Sequence, residues 1–125
     1  MLLMCGTLLF GQSQKPQSPP PEEPPEEDTI NAPKEYAFNP LQAAKEMKVG
    51  AFYLRKGSYR AAARRFEEAL KWNPSLSEAY LRLGETYLKA KDRKSARAAY
   101  QKYLAMEPDS KEAAEVKKRL ASIEN

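Results

Sequence analysis

Two consecutive stretches of this chain, residues 43–76 and 77–110, repeat one pattern of residues at a spacing of 34. A repeat length in this range indicates a single supersecondary unit whose stacked copies share a continuous core. The pattern therefore predicts an elongated stack of repeats. The matching pairs are Val49 and Leu83, Gly50 and Gly84, Tyr53 and Tyr87, Ala62 and Ala96, Phe66 and Tyr100, Leu70 and Leu104, and Pro74 and Pro108.

Each copy is expected to contain two helices, because its apolar residues recur at helical spacing and a polar turn interrupts them. Lys56 to Ser58 forms that turn in the first copy, and Lys91 to Arg93 forms it in the second. Pro74 and Pro108 separate one helix from the next, since proline is tolerated in a first turn but not in a helix interior. Asn39 before Pro40 is a candidate cap for the first helix.

Gly50 and Gly84 fall in the middle of predicted helices, where glycine costs about 1 kcal/mol relative to alanine. Such a cost indicates that a second helix crosses closely at that point. We expect Ala62 and Ala96, on the following helices, to be the contacts of these glycines.

The second copy resembles a tetratricopeptide repeat, and the first follows the same pattern except at Glu46, where the family usually has a large apolar residue. The matching residues are Tyr80, Leu83, Gly84, Tyr87, Ala96, Tyr100 and Pro108. The resemblance implies an all-α solenoid of helix–turn–helix units, with two repeats in a domain spanning residues 39–125. A capping helix is predicted at about residues 109–123, because Ala113, Val116, Leu120 and Ile123 fall on one face.

The resemblance also implies a groove, lined by the first helix of each pair, that binds a protein or peptide partner. The family's groove positions correspond to Ala44, Met47, Ala51, Leu54 and Arg55 in the first repeat, and to Glu78, Leu81, Glu85, Leu88 and Lys89 in the second. Packing between neighbouring helices is the alternative role for these side chains. Relatives that clamp a carboxylate use Lys and Asn where this chain has Met47 and Ala51, so that specialised role is not expected.

No capping helix precedes the first repeat, and the first helix is expected to have an uncovered face. Ile30, Tyr36 and Phe38 are the nearby apolar residues that could fold back on it. A second copy of the chain could cover the same face, which would make the protein a homo-oligomer.

The N-terminal third of the chain has a different composition. Residues 1–13 contain an apolar run from Leu2 to Gly11, too short to span a bilayer but suited to a secretory signal. Residues 14–38 are predicted to be a disordered linker, because residues 12–35 hold seven of the ten prolines and no aromatic residue. Export to the periplasm or the periplasmic face of the outer membrane is therefore expected, with a cytoplasmic location as the alternative.

Cys5 is the single cysteine of the chain, and two interpretations of it remain open. Leu2 to Gly6 is similar to a bacterial lipoprotein box, in which the cysteine carries the lipid and associates the protein with a membrane. Met4, however, occupies a position that the box reserves for a small residue, and the favoured interpretation is an ordinary cysteine in a discarded signal.

Charge is divided unevenly along the chain. Residues 41–125 carry 19 basic and 11 acidic side chains, a net charge of +8, whereas residues 1–40 carry 2 basic and 6 acidic, a net charge of −4. Solvated helix surfaces are the favoured explanation of this charge, and a surface for lipid headgroups or an acidic partner, or for the acidic spacer of the same chain, is the alternative. No aromatic stacking platform accompanies the basic residues, so a nucleic-acid partner is not expected. The basic residues expected on the convex second helices are Arg60, Arg64, Arg65, Lys94, Arg97 and Lys102.

Catalysis and cofactor binding find no support in the sequence. The chain has no histidine, and it contains no phosphate-binding glycine loop, nucleophile elbow or cysteine pair. The predicted function is non-catalytic protein binding, as an adaptor or scaffold in the bacterial cell envelope.

Residues 46–66 are similar to the first-repeat region of bacterial outer-membrane assembly lipoproteins of the BamD type, where a Phe-Tyr-x-x-x-Gly-x-Tyr run followed by Ala and Arg-Phe is common. This resemblance implies an alternative role in outer-membrane protein assembly. A cytoplasmic oligomerising adaptor is the remaining alternative.

Overall fold

The computed structural model describes residues 35–124, which form five α-helices and contain no strand. The helices are α1 (Pro40–Arg55), α2 (Tyr59–Trp72), α3 (Ser77–Lys89), α4 (Arg93–Met106) and α5 (Ala113–Glu124). Successive helices pack against one another, so that α1 with α2 and α3 with α4 form two hairpins. The predicted all-α solenoid with two repeats and a C-terminal capping helix is confirmed. The predicted signal and most of the predicted linker lie outside the described residues.

The turns of the two hairpins are built in the same way. Gly57 and Lys91, which are 34 residues apart, both have the left-handed backbone conformation, with φ angles of 77° and 62°. In each turn the next amide reaches back to a tyrosine carbonyl, from Ser58 to Tyr53 and from Asp92 to Tyr87, at 2.9 Å in both cases. These backbone hydrogen bonds end the first helix of each pair.

Two helices begin at side-chain caps. Asn39 Oδ1 accepts a hydrogen bond of 3.0 Å from the backbone amide of Gln42, which confirms the cap predicted before Pro40. Asp92 Oδ1 accepts one of 3.1 Å from the amide of Ser95. Hydrogen bonding from Ser95 stabilises the Asp92 carboxylate and lowers its pKa.

The two mid-helix glycines make room for aromatic rings of the partner helices. A Cβ atom added to Gly50 would lie 2.5 Å from Phe66 Cε1, and one added to Gly84 would lie 2.4 Å from Tyr100 Cε1. The helices therefore cross closely, as predicted. The atoms nearest to the added Cβ belong to these rings, and not to Ala62 and Ala96.

The core consists of two connected clusters. The first is formed by Ala62, Ala63, Phe66, Leu83 and Ala99, and the second by Ala96, Tyr100, Tyr103, Val116 and Ile123. Tyr80 and Tyr87 of α3 pack against both, so the repeats share one continuous apolar interior. The second cluster includes α5 residues, which gives α5 its role as a cap.

The capping helix begins four residues later than the predicted residue 109. Residues 108–112 form turns in which the amide of Ala113 donates to the carbonyl of Ser110 at 3.1 Å. The Ser110 hydroxyl also forms a 2.7 Å hydrogen bond with the Tyr103 hydroxyl. These contacts hold the segment against α4 before the helix starts.

Candidate functional site

The ten predicted groove residues all retain solvent access in the structure. Ala44, Arg55, Glu78 and Lys89 are exposed, and the remaining six are half-buried. Five lie on α1 and five on α3, the first helices of the two hairpins. Both repeats therefore contribute solvent-accessible side chains to the predicted groove.

The second-repeat residues meet α5 and the segment before it. Glu78, Leu81 and Glu85 line a cavity of about 420 Å³ together with Glu107 and Glu112. Leu81 and Glu85 also line an adjoining cavity of about 410 Å³. Its α5 side includes Glu115, Val116 and Arg119. A nearly continuous trough therefore runs between α3 and α5.

Leu88 extends this trough toward the end of α3. It lines a third cavity, of about 440 Å³, with Arg119 and Ile123 of α5. Leu88 also packs against the second core cluster, as Leu81 does. Both leucines thus support the fold with one side and face the trough with the other.

The first-repeat residues do not line these three cavities. Met47 and Leu54 pack against the first core cluster, so the alternative role in helix packing applies to them. Ala44 and Arg55 of the same helix are exposed.

The trough is acidic around Leu81, although residues 41–125 as a whole are basic. Arg82 is the cation that lines the same cavity as these carboxylates. Its Nε atom lies 3.8 Å from Glu78 Oε1, and its Nη1 atom lies 3.5 Å from Glu85 Oε2. These exposed pairs contribute little to stability, about 0–1 kcal/mol each, and can exchange partners when a ligand binds.

Tyr36, which precedes α1, packs on α2 at the N-terminal end of the stack, whereas the sequence predicted that it folds back on the uncovered face of α1. The Tyr36 hydroxyl donates a 2.7 Å hydrogen bond to Glu68 Oε1, and its ring packs edge-on against Trp72 with centroids 4.8 Å apart. Burial and the hydrogen bond to Glu68 raise the pKa of Tyr36 to about 12. Phe38, in contrast, is 71% exposed, so the prediction that it covers this face is wrong.

Arg65 is the exception among the basic residues predicted on the convex surface. It is buried, and its Nη1 atom donates a 3.1 Å hydrogen bond to Oε2 of the buried Glu46. Two further pairs lie within single helices, Glu115 with Arg119 at 3.4 Å and Glu68 with Lys71 at 3.8 Å.

A further cavity, of about 560 Å³, lies on the side of the second helices and was not predicted. We refer to it as the convex cavity. Its lining residues are Glu67, Leu70 and Lys71 from α2, Tyr80, Leu83 and Tyr87 from α3, and Ser95, Ala98, Ala99 and Lys102 from α4. The Tyr87 hydroxyl donates to Glu67, and burial followed by this hydrogen bond raises the pKa of Tyr87. Ala98 and Ala99, two small residues in succession on α4, are the sequence feature that could have indicated this cavity.

Between residues 35 and 124, no cluster of acidic or cysteine side chains is arranged to hold a metal ion. Over the same residues, no helix is long and apolar enough to cross a membrane.

The fold and these surfaces define a solenoid of helix–turn–helix units that presents grooves to other molecules. Residues 53–120, more than half of the chain, match the family model described as tetratricopeptide repeat. The protein belongs to the tetratricopeptide repeat family, whose repeats are typically non-catalytic protein-interaction modules. None of the curated proteins compared with the chain matches it.

Proposed function

We propose that this protein is an adaptor that binds a segment of a partner protein in the trough between α3 and α5, with α1 extending the contact surface. The observation that supports this most directly is the arrangement of Leu81 and Leu88. Each is half-buried, packs on the core and lines a cavity shared with α5, of about 410 Å³ for Leu81 and about 440 Å³ for Leu88. Apolar side chains presented in a groove and bordered by charged groups are the usual anchors for a bound helix or extended peptide.

The charge at the Glu78 end of the trough indicates the class of segment that fits there, whereas Lys111, Arg119 and Lys91 line the other two cavities. The cavity around Leu81 carries four carboxylates, from Glu78, Glu85, Glu107 and Glu112, against one guanidinium, from Arg82. A partner with an apolar face and flanking Lys or Arg side chains would complement this lining and displace water from the leucines. We expect its binding to weaken as salt concentration rises.

Site-specific photo-cross-linking in the native host tests the surface. A photoreactive amino acid placed at the exposed Ala44, or at Glu78, should form an adduct with the partner. The matched control replaces Ala105, an exposed alanine on α4 outside the trough, and should form none. Adducts at position 105 in the absence of adducts at 44 and 78 would place the interaction on the second helices and reject the proposal.

The cellular location belongs to the same proposal. The apolar run from Leu2 to Gly11, followed by a Pro/Glu-rich spacer, supports export to the bacterial envelope. A narrower role, in outer-membrane protein assembly, rests on the similarity of residues 46–66 to BamD-type lipoproteins. Mass spectrometry of the native N-terminus tests these interpretations, because a cleaved chain supports export, a lipidated Cys5 supports the lipoprotein role, and an intact Met1 supports a cytoplasmic adaptor.

Self-association is a second candidate, favoured by two exposed apolar side chains at the N-terminal face. Phe38 and Leu41 are 71% and 70% exposed, and they are three residues apart in sequence. Burial of both in a symmetric dimer would remove apolar surface from water. Sedimentation of the native protein and of a Phe38→Ser, Leu41→Ser variant tests this, since only the native protein should associate.

A further inference from the structure

The convex cavity is separate from the trough and has a chemistry of its own. None of the ten predicted groove residues lines it. Tyr80 and Tyr87, both half-buried, and Leu70 provide aromatic and apolar surface. The charged lining consists of two exposed lysines, Lys71 and Lys102, and one carboxylate, Glu67, which accepts the hydrogen bond from Tyr87; Lys71 also lies 3.8 Å from Glu68. Grooves lined by aromatic rings are the surfaces on which proline-rich segments dock in their extended left-handed conformation.

A segment with matching chemistry exists in the same chain. Residues 19–28 read Pro-Pro-Pro-Glu-Glu-Pro-Pro-Glu-Glu-Asp, with five prolines and five carboxylates. Residues 41–125 carry a net charge of +8, so the acidic run and the helical body attract one another. Proline has little conformational freedom to lose on docking, which lowers the entropic cost of binding.

The chain also enters the structure close to this cavity. Tyr36 packs on Trp72 of α2, and Lys71 Nζ lies 5.5 Å from the centroid of the Tyr36 ring. Lys71 itself lines the convex cavity. Six residues, 29–34, separate the acidic run from the described part, and they can span roughly 20 Å when extended. That reach exceeds the diameter of one helix, about 10–12 Å.

We propose that the Pro/Glu segment 19–28 docks in cis in the convex cavity, with its prolines on Tyr80 and Tyr87 and its carboxylates near Lys71 and Lys102. Because a short linker joins the segment to the helical domain, the effective concentration of the segment at the cavity is on the order of 1 mM. A weak affinity of the segment for the cavity is therefore enough for substantial occupancy. The docked segment covers the side of the stack opposite the trough and leaves the trough open to a partner.

Paramagnetic NMR on the full-length protein tests this docking. A nitroxide is attached at Ser18→Cys in a Cys5→Ser background, since Cys5 is the single native cysteine. The amides of Ala98 and Lys102 should be broadened several-fold more than that of Ala44, on the groove side. Equal broadening at all three positions, or stronger broadening at Ala44, would overturn the proposal.

Charge variants show whether the contact depends on the cavity. Lys102→Glu should reduce the broadening at Ala98 several-fold, whereas the matched control Lys89→Glu, at an exposed lysine outside the cavity, should leave it unchanged. Replacement of Glu22, Glu23, Glu26 and Glu27 by Gln should act like Lys102→Glu. If both lysine variants behave alike, the attraction is unspecific and docking in the cavity is rejected.

Isotope mixing separates docking in cis from docking in trans. An isotope-enriched chain without nitroxide is mixed with a spin-labelled chain of natural isotope abundance, so broadening arises only between molecules. The proposal requires the broadening at Ala98 to disappear in this sample. Its persistence would assign the cavity to the segment of a second copy and overturn docking in cis.

Discussion

Glu46 of α1 and Arg65 of α2 form a buried ion pair, with Arg65 Nη1 3.1 Å from Glu46 Oε2 and both side chains less than 10% exposed. The positions 34 residues later hold Tyr80 and Ala99. An acidic and a basic residue in one hairpin thus occupy the sites of a large aromatic and a small residue in the other. Gln42 Nε2 also donates to Glu46 Oε1 at 3.1 Å, which further satisfies the carboxylate.

Removal of either member of this pair should destabilise the protein strongly. Arg65→Met leaves the buried Glu46 carboxylate without the guanidinium, at an expected cost of about 3–5 kcal/mol, and Glu46→Gln removes the carboxylate that lies 3.1 Å from Arg65 Nη1. Glu46→Tyr combined with Arg65→Ala copies the second repeat and should cost less than either single change. Urea unfolding measures these differences. The matched double variant Glu46→Gln, Arg65→Met completes the cycle, and a loss equal to the sum of the two single losses would show that the pair is not coupled.

Gly84→Ala should also destabilise the domain, although alanine is the better helix former. The added Cβ would lie 2.4 Å from Tyr100 Cε1, so the ring must shift within a packed core. We expect a net loss of about 1–3 kcal/mol in the free energy of unfolding. Tyr100→Leu should relieve this strain, so that Gly84→Ala costs less in that background.

Gly57→Ala provides the comparison for this test. No atom lies within 4 Å of an added Cβ at Gly57, but its φ of 77° disfavours any side chain. Its cost, about 1–2 kcal/mol, should not change with Tyr100→Leu. Equal relief of both glycine variants by Tyr100→Leu would contradict the packing described for Gly84.

Alkaline pH should release Tyr36 from α2. The pKa of Tyr36 is about 12 in the folded protein, against an ordinary value of 10.0. The stabilisation by the neutral hydroxyl is therefore complete below pH 10 and is lost as the pH rises through 12. Trp72, the single tryptophan of the chain, contacts the Tyr36 ring and reports the change by its fluorescence.

Tyr36→Phe is the matched control for the pH titration, because phenylalanine keeps the ring against Trp72 but cannot ionise. The transition between pH 10 and 12 should disappear from the fluorescence of this variant. An identical transition in both proteins would assign it to another group, such as one of the remaining tyrosines, and would contradict the role of Tyr36.

The repeat period allows the hairpins and their turns to be predicted from the sequence, because glycine and proline act locally at Gly57, Pro74 and Pro108. The partners of the mid-helix glycines could not be predicted in the same way. Ala62 and Ala96, and the aromatic residues four positions after them, were equally compatible with the helical periodicity as contacts of these glycines. Only the relative rotation of the helices selects Phe66 and Tyr100.

The burial of Arg65 could have been inferred only by considering two differences between the repeats together. By helical spacing it falls among charged residues, and a single arginine is usually solvated. Glu46 and Arg65, however, both replace the residue types that the second repeat has at Tyr80 and Ala99. Charges of opposite sign at two matching core positions indicate a buried pair, as the structure confirms.

The groove prediction depends on α5 more than the sequence indicated. Leu81 and Leu88 were selected by repeat position alone, and both face α5 in the structure. Arg119 of α5 also lines both cavities. Its place there could not be predicted, because the turns of residues 108–112 make α5 begin later than the sequence indicated. Whether these residues bind a partner remains a prediction.

The last prediction concerns the boundary between the N-terminal segment and the folded domain. A chain shortened to begin at Glu35 retains Tyr36, whereas one that begins at Ala37 loses its hydrogen bond to Glu68 and its contact with Trp72. Both should keep the five helices, measured by circular dichroism, because the core clusters lie within α1–α5 and their side chains remain. The free energy of unfolding, measured with urea, should nevertheless be about 1–3 kcal/mol lower for the chain from Ala37, because it lacks the aromatic pair and the partly buried hydrogen bond.

Equal stability of the two chains would show that the contact of Tyr36 with α2 does not stabilise the protein. Loss of cooperative unfolding in both chains would mean that residues before 35 belong to the folded unit.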